Sequence, residues 1–156
     1  MRKIRILCVG RKQETYLKSG IEIYRKKLKR YCEFELKTIR EADYGRGILA
    51  QWLNKEYQAI QTQLRPDTFL IACDETGISL SSVDFARQLQ QITNQGQSKI
   101  DFIIGGPYGL PPEIKNQANL LFRLSAMTLT HQMVRLFLAE QIYRAFTILN
   151  GEKYHH

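Results

Sequence analysis

The run Thr68-Phe69-Leu70-Ile71-Ala72-Cys73 is apolar at almost every position. A strand with one wet face would alternate instead. Such a run reads as a strand buried on both sides, which is the signature of a parallel sheet. Parallel neighbours need long, usually helical crossovers, and the rest of the chain reads that way. Ile4, Ile6 and Cys8 alternate in a first strand at about 3–9, and Leu17, Ile21, Tyr24 and Leu28 fall at helical spacing over about 14–30. Phe34, Leu36 and Thr38 suggest a short second strand. A loop through Asp43, Gly45 and Gly47 then leads to a helix with Leu49, Trp52 or Leu53, Ile60 and Leu64 as its apolar stripe, ended by Pro66-Asp67. Ser81 is placed to cap a third helix, with Asp84 three residues on, Leu80 and Phe85 as a staple, and Gly96 at its end. Ile100–Ile104 is a further strand, Pro111-Pro112-Glu113 opens a short helix, Leu120–Leu124 is a fifth strand, and 131–149 is a final helix. The order predicts a three-layer α/β/α fold with a mostly parallel sheet, one domain over 1–156.

The 156 residues suffice for one well-filled core. No apolar run approaches the ~20 residues of a membrane helix. Met1–Gly10 is basic and then apolar, but too short for a signal peptide, so we expect a cytoplasmic protein. Cys8, Cys32 and Cys73 form no C-x-x-C pair and have no zinc-like spacing with His131, His155 or His156; reduced thiols and no metal are expected. The net charge of +8 is uneven. Residues 1–30 hold eleven Lys/Arg against Glu14 and Glu22, whereas the remaining residues hold twelve against thirteen Asp/Glu. A basic excess at one end, including Lys26, Lys27 and Arg30, points to a polyanion, with RNA favoured over membrane; the competing reading is a solvated helix face.

Ligands of open parallel sheets bind at the carboxyl ends of strands. Three segments leave strand ends in the second half: Asp74–Leu80, Gly105–Leu110 and Ser125–Thr130. Gly105, Gly106 and Gly109 allow close backbone approach or positive φ. The spacing is neither a dinucleotide fingerprint nor a P-loop, and a tight turn without a ligand is the alternative. No G-x-S-x-G and no H-E-x-x-H is present. Methyl transfer from a sulfonium fits that absence, because it needs an in-line nucleophile and at most a base. His131 and Arg135 share a helix face near the expected site, and Glu140–Arg144 reads as an ordinary helical ion pair. Tyr154, His155 and His156 can stack on or hydrogen-bond to a base, or fray. The last helix is apolar over so much of its surface that it is expected to pack on the sheet and on a second protein surface.

The segments Ile103–Leu110, Leu124–Arg135, Glu140–Ala145 and Tyr154-His155 resemble the RlmH family, the large-subunit ribosomal RNA pseudouridine N3-methyltransferases of the SPOUT superfamily. The resemblance spans the whole chain, from Cys8-Val9-Gly10 through Thr76-Gly77 and Phe85-Ala86 to the tail. It implies a C-terminal trefoil knot and S-adenosyl-L-methionine as cofactor, held by Cys73, Gly105, Gly106, Ser125, Ala126, Met127, Thr128, Leu129 and Thr130. It implies methylation in the assembled ribosome by a homodimer, one protomer's cleft meeting its partner's tail. His131, Arg135, Tyr154 and His155 are then the candidate catalytic residues, and Arg144, Lys26, Lys27 and Arg30 the candidate RNA contacts. Cys73, Tyr108 and Thr130 depart from the family's usual residues. The rival readings are a non-enzymatic ribosome- or RNA-binding factor of the same fold and a small-molecule α/β enzyme.

Overall fold

The computed structural model describes residues 1–156. Its elements run β1 (Arg2–Val9), α1 (Thr15–Leu28), β2 (Cys32–Ile39), α2 (Leu49–Gln61), β3 (Phe69–Ser79), α3 (Ser82–Asn94), β4 (Lys99–Ile104), α4 (Pro112–Gln117), β5 (Leu120–Arg123) and α5 (His131–Leu149). The five strands form one sheet in the order β2-β1-β4-β3-β5, every pair parallel.

The pleat divides the core in two. Ile4, Ile6, Cys8, Ile71, Phe102 and Ile104 join residues of α3 and α5, among them Phe85, Leu138, Ile142 and Phe146. Leu7, Val9, Leu70, Ala72 and Ile103 point the other way, onto Ile60 of α2 and Ile114 of α4. Neighbouring strand residues alternate between these clusters, so the sheet is covered on both faces and its central strands read as continuous apolar runs. α1, α3 and α5 therefore lie on one face and α2 and α4 on the other. Leftward steps (β1 to β2, β3 to β4) use the first face and rightward steps the second, which keeps every crossover the same hand.

The local signals act as expected. Ser81 Oγ accepts from Asp84 N at 3.0 Å, so α3 has its cap. Gly96 (φ +88°) follows α3, with Gln97 N donating back to Ile92 O at 3.3 Å.

Two differences matter. Asp74–Leu80 is not a free loop. β3 continues to Ser79, with a bulge between Cys73 and Ile78, so that both Cys73 and Ile78 stand opposite Phe122 of β5. Gly77 permits this: a Cβ there would lie 2.5 Å from Phe122 N. In α2 the inward positions are Glu56 and Ile60, and Leu49 stays exposed.

Candidate active site

A cleft of about 1040 Å³ opens at the carboxyl ends of β3, β4 and β5. Parts of all three segments singled out in the sequence line it: of Asp74–Leu80 only Asp74–Thr76, next to Cys73, and the whole of Gly105–Leu110 and Ser125–Thr130, with His131 at the start of α5. The expected cofactor set of Cys73, Gly105, Gly106 and 125–130 thus converges without exception.

The glycine loop is folded back on itself. Gly109 N donates to Gly106 O at 3.0 Å, and a Cβ on Gly105 would lie 2.6 Å from the Gly109 carbonyl carbon. Main chain therefore forms this wall. Opposite it, Ser125 Oγ accepts from Met127 N at 2.9 Å, and Thr130 Oγ1 caps α5 by accepting from Met133 N at 3.1 Å. Thr130 thus has a local purpose as the cap of α5. Ile104, Leu110, Phe122, Leu124 and Val134 add apolar wall, while Asp74 and Glu75 bring carboxylates to the cleft. Asp74 is tied to Thr76 N at 3.1 Å and faces Lys115 Nζ at 3.8 Å.

His131 is the one of the four candidate catalytic residues that lines this cleft. Burial, and then the neighbouring Arg135 charge, hold its imidazole below the usual histidine pKa, so it is neutral at neutral pH and free to accept a proton. The thiol of Cys73 is pushed well up by burial and that of Cys8 to about 12 by the same cause. Both stay protonated, so neither serves as a thiolate nucleophile.

Arg135 requires a correction. It does not face the cleft or solvent: it is completely buried. Its Nη2 donates to Gly10 O at 2.9 Å and Val9 O at 3.3 Å, and its Nη1 to Lys12 O at 3.3 Å. An arginine engaged with three carbonyls in the interior cannot act as a catalytic residue touching the substrate. It fixes the β1–α1 loop against the start of α5, and its charge acts on His131 from there.

Tyr154, His155 and Arg144 lie apart from the cleft, on the outer face of α1 and α5. Tyr154 OH donates to Glu140 Oε1 at 3.1 Å, and Arg144 Nη2 donates to the same oxygen at 2.7 Å. Arg144 Nη1 stands 3.1 Å from His155 Nδ1. A guanidinium only donates, so Nδ1 is the accepting atom of this contact. Burial first, then the hydrogen-bonding contact with Tyr24 and the Glu140 charge, push the Tyr154 phenol far up. It is a neutral donor here and not a base. Lys27 sits over the rings of Tyr24, Tyr143 and Tyr154, with Nζ 5.3 Å from the nearest centroid. Arg30 is bound to Glu152 at 2.5 Å and secures the tail while its side chain stays 61% exposed; Lys26 is exposed too. The residue that sequence reasoning passed over is Glu140. Its i,i+4 spacing to Arg144 hid its second role, as the anchor of the tail.

A parallel α/β domain whose main-chain-lined cleft meets a neutral histidine defines a candidate small-cofactor transferase. The chain belongs to the SPOUT methyltransferase family: the family described as "Predicted SPOUT methyltransferase" matches residues 2–155. Relatives carry a narrower name. "Ribosomal RNA large subunit methyltransferase H" of Desulforamulus reducens is 43% identical over 159 residues, covering 99% of both chains. The proteins of that name from Trichlorobacter lovleyi and Streptococcus equi subsp. equi are 40% and 41% identical and cover 99% and 98% of this chain and 99% of their own. A solved structure of a probable methylase family protein from Haemophilus influenzae has a TM-score of 0.58 at 13% identity, covering 99% of this chain and 71% of that one. At that identity it bears on the fold alone.

Proposed function

We propose that the protein is a homodimeric, S-adenosyl-L-methionine-dependent methyltransferase acting on N3 of a pseudouridine in large-subunit ribosomal RNA of the assembled ribosome. The observation that carries this reading is the convergence of Cys73, the glycine loop, 125–130 and His131 on one cleft.

The residues suit the cofactor. Glycine main chain can pair with an adenine edge or a carboxylate, the apolar wall suits a purine, and Asp74 and Glu75 suit a ligand bearing a sulfonium and an ammonium. When bound, it supplies an electrophilic methyl group. The chain's part is to hold the nucleotide in line, exclude water and take the imide proton, for which neutral His131 is the candidate. The reading assigns no role to a metal.

Three features favour the dimer. Tyr16 and Ile23 of α1 and Met133 and Phe137 of α5 are exposed, although these helices pack side by side through Gly20 and Leu136. The tail lies against these same two helices. Within one chain, Tyr154 and His155 stand outside the cleft, so a partner supplying its tail completes a site that one chain leaves open. The same reading gives the C-terminal part a trefoil knot. It also gives the protein a cytoplasmic, ribosome-associated location. No helix is long and apolar enough to cross a membrane.

The test is transfer of labelled methyl from S-adenosyl-L-methionine to ribosomes lacking the modification, followed by nucleoside analysis of the large-subunit RNA. Label in a pseudouridine of assembled ribosomes is expected. Label on free subunits alone would move the substrate. No label and no cofactor binding would favour the non-enzymatic RNA-binding factor.

A further inference from the structure

The rim of the cleft on the α2 side carries an aromatic cluster that the proposed chemistry does not use. Tyr44 from the β2–α2 loop, Trp52 from α2 and Tyr108 from the glycine loop meet with centroids 5.4, 5.0 and 5.1 Å apart. These rings are fixed in place. Trp52 Nε1 donates to Arg46 O at 2.6 Å. Tyr44 OH donates at 2.6 Å to Glu56, a buried carboxylate that also accepts from Ala42 N at 3.0 Å. The missing side chain of Gly106 makes room for the Tyr44 hydroxyl, since a Cβ there would lie 2.9 Å from it.

The outward side of the cluster is uncovered. Tyr108 is 51% exposed and Ile48, at the start of α2, 64%. Ordered aromatic surface left facing water at the lip of a cleft calls for an occupant. We propose that Tyr108 and Trp52 form a stacking platform for an unpaired base of the RNA substrate, next to the nucleotide that enters the cleft. The inference rests on the RNA-methyltransferase reading above.

The observations favour RNA over a second copy of the chain. The exposed Tyr108 ring, braced by Trp52 at an interplanar angle of 44°, offers a held aromatic face that suits any base, because every base has a π-face. The Arg46 side chain on the same loop is 91% exposed, held only at 3.9 Å by Asp43, and suits a phosphate. Tyr108 itself lines the cleft, so platform and cleft are continuous. The apolar α1/α5 face proposed for pairing lies on the other side of the sheet from α2, so pairing there leaves the platform open.

Trp52 is the only tryptophan in the chain, so its fluorescence reports on this cluster. The full-length protein would be titrated with a single-stranded hexa-adenylate, and the KM for ribosomes measured in parallel. We expect saturable quenching. In Tyr108→Leu, binding of the hexamer weakens about tenfold (about 1.4 kcal/mol) and the KM for ribosomes rises to a similar degree. The tenfold loss persists at saturating cofactor, which separates it from any change in cofactor binding, and Tyr108→Phe retains wild-type behaviour. Absence of quenching, or an unchanged KM in a Tyr108→Leu enzyme that still methylates, would overturn the platform and leave the enzymatic reading standing. A fluorescence change with protein concentration alone, without RNA, would overturn it in favour of self-association. No methyl transfer by the wild-type protein would overturn the enzymatic reading and the platform's assignment to its substrate together.

Discussion

The guanidinium of Arg135 has been taken out of water, and three main-chain carbonyls offset that cost. Replacing it leaves those carbonyls unpaired and a cavity where a large side chain stood. Arg135→Ala should lower stability by about 3 kcal/mol or more, read from the urea unfolding midpoint, and no phosphate-binding role would produce that effect. His131 is the contrasting residue, since it is at the cleft and little depends on it structurally. If it takes the imide proton, His131→Ala should lower kcat by about 10²–10⁴-fold while leaving the fold intact. The sign of its shift sets the pH profile. A base must be unprotonated, and its pKa is held below the ordinary value of about 6.5. The rate should therefore stay level as pH falls from neutral through 6.5 and decline only below it. A decline centred at or above 6.5 would assign the proton to another group.

At the scale of elements, the glycine loop and the tail have separable effects. Gly105→Ala places a methyl 2.6 Å from the Gly109 carbonyl carbon. The loop must open, so thermal stability should fall and cofactor affinity, measured by calorimetry at a temperature where the variant is folded, should fall at least about tenfold (about 1.4 kcal/mol). Glu140→Gln weakens acceptance from Arg144 and Tyr154 and should free the tail. Faster proteolysis after Asn150, with cofactor affinity unchanged, is the expected result. The strand ends and the three site segments were legible because a buried parallel sheet dictates both its apolar runs and where its ligands bind. The second half of β3 was not. Asp74-Glu75-Thr76-Gly77 has the composition of a turn, and only the backbone contact of Gly77 with Phe122 makes it strand. Arg135 was misread for a similar reason. A helical face shows which residues are near one another in the helix, but its three carbonyl partners lie more than 120 residues away in the sequence.

On the scale of the whole molecule, the basic excess of residues 1–30 is smaller in effect than its count. Arg5 is buried against Asp101 at 2.8 Å, Arg25 pairs with Glu22 at 2.5 Å and Arg30 with Glu152. What remains for RNA is an exposed subset, including Lys18, Lys26 and Lys29, and ribosome affinity should fall with salt, with a shallower slope in Lys26→Gln. The apolar remainder of α1 and α5 should hold two copies together, and Ile23→Glu combined with Phe137→Glu should yield monomers in sedimentation that keep cofactor binding and lose methyl transfer. In one chain Tyr154 and His155 do not line the cleft, and the proposed dimer predicts that one protomer's cleft works with its partner's tail. A cleft-blocked variant, Gly105→Val, would be mixed in equal amounts with a tail variant, Tyr154→Ala/His155→Ala, and the subunits exchanged. Each alone should be inactive. In a shared site, half the dimers are mixed and each holds one intact site of two, so about a quarter of wild-type methyl transfer should return. No recovery after verified exchange would contradict the account, because it would mean that each cleft works only with the tail of its own chain.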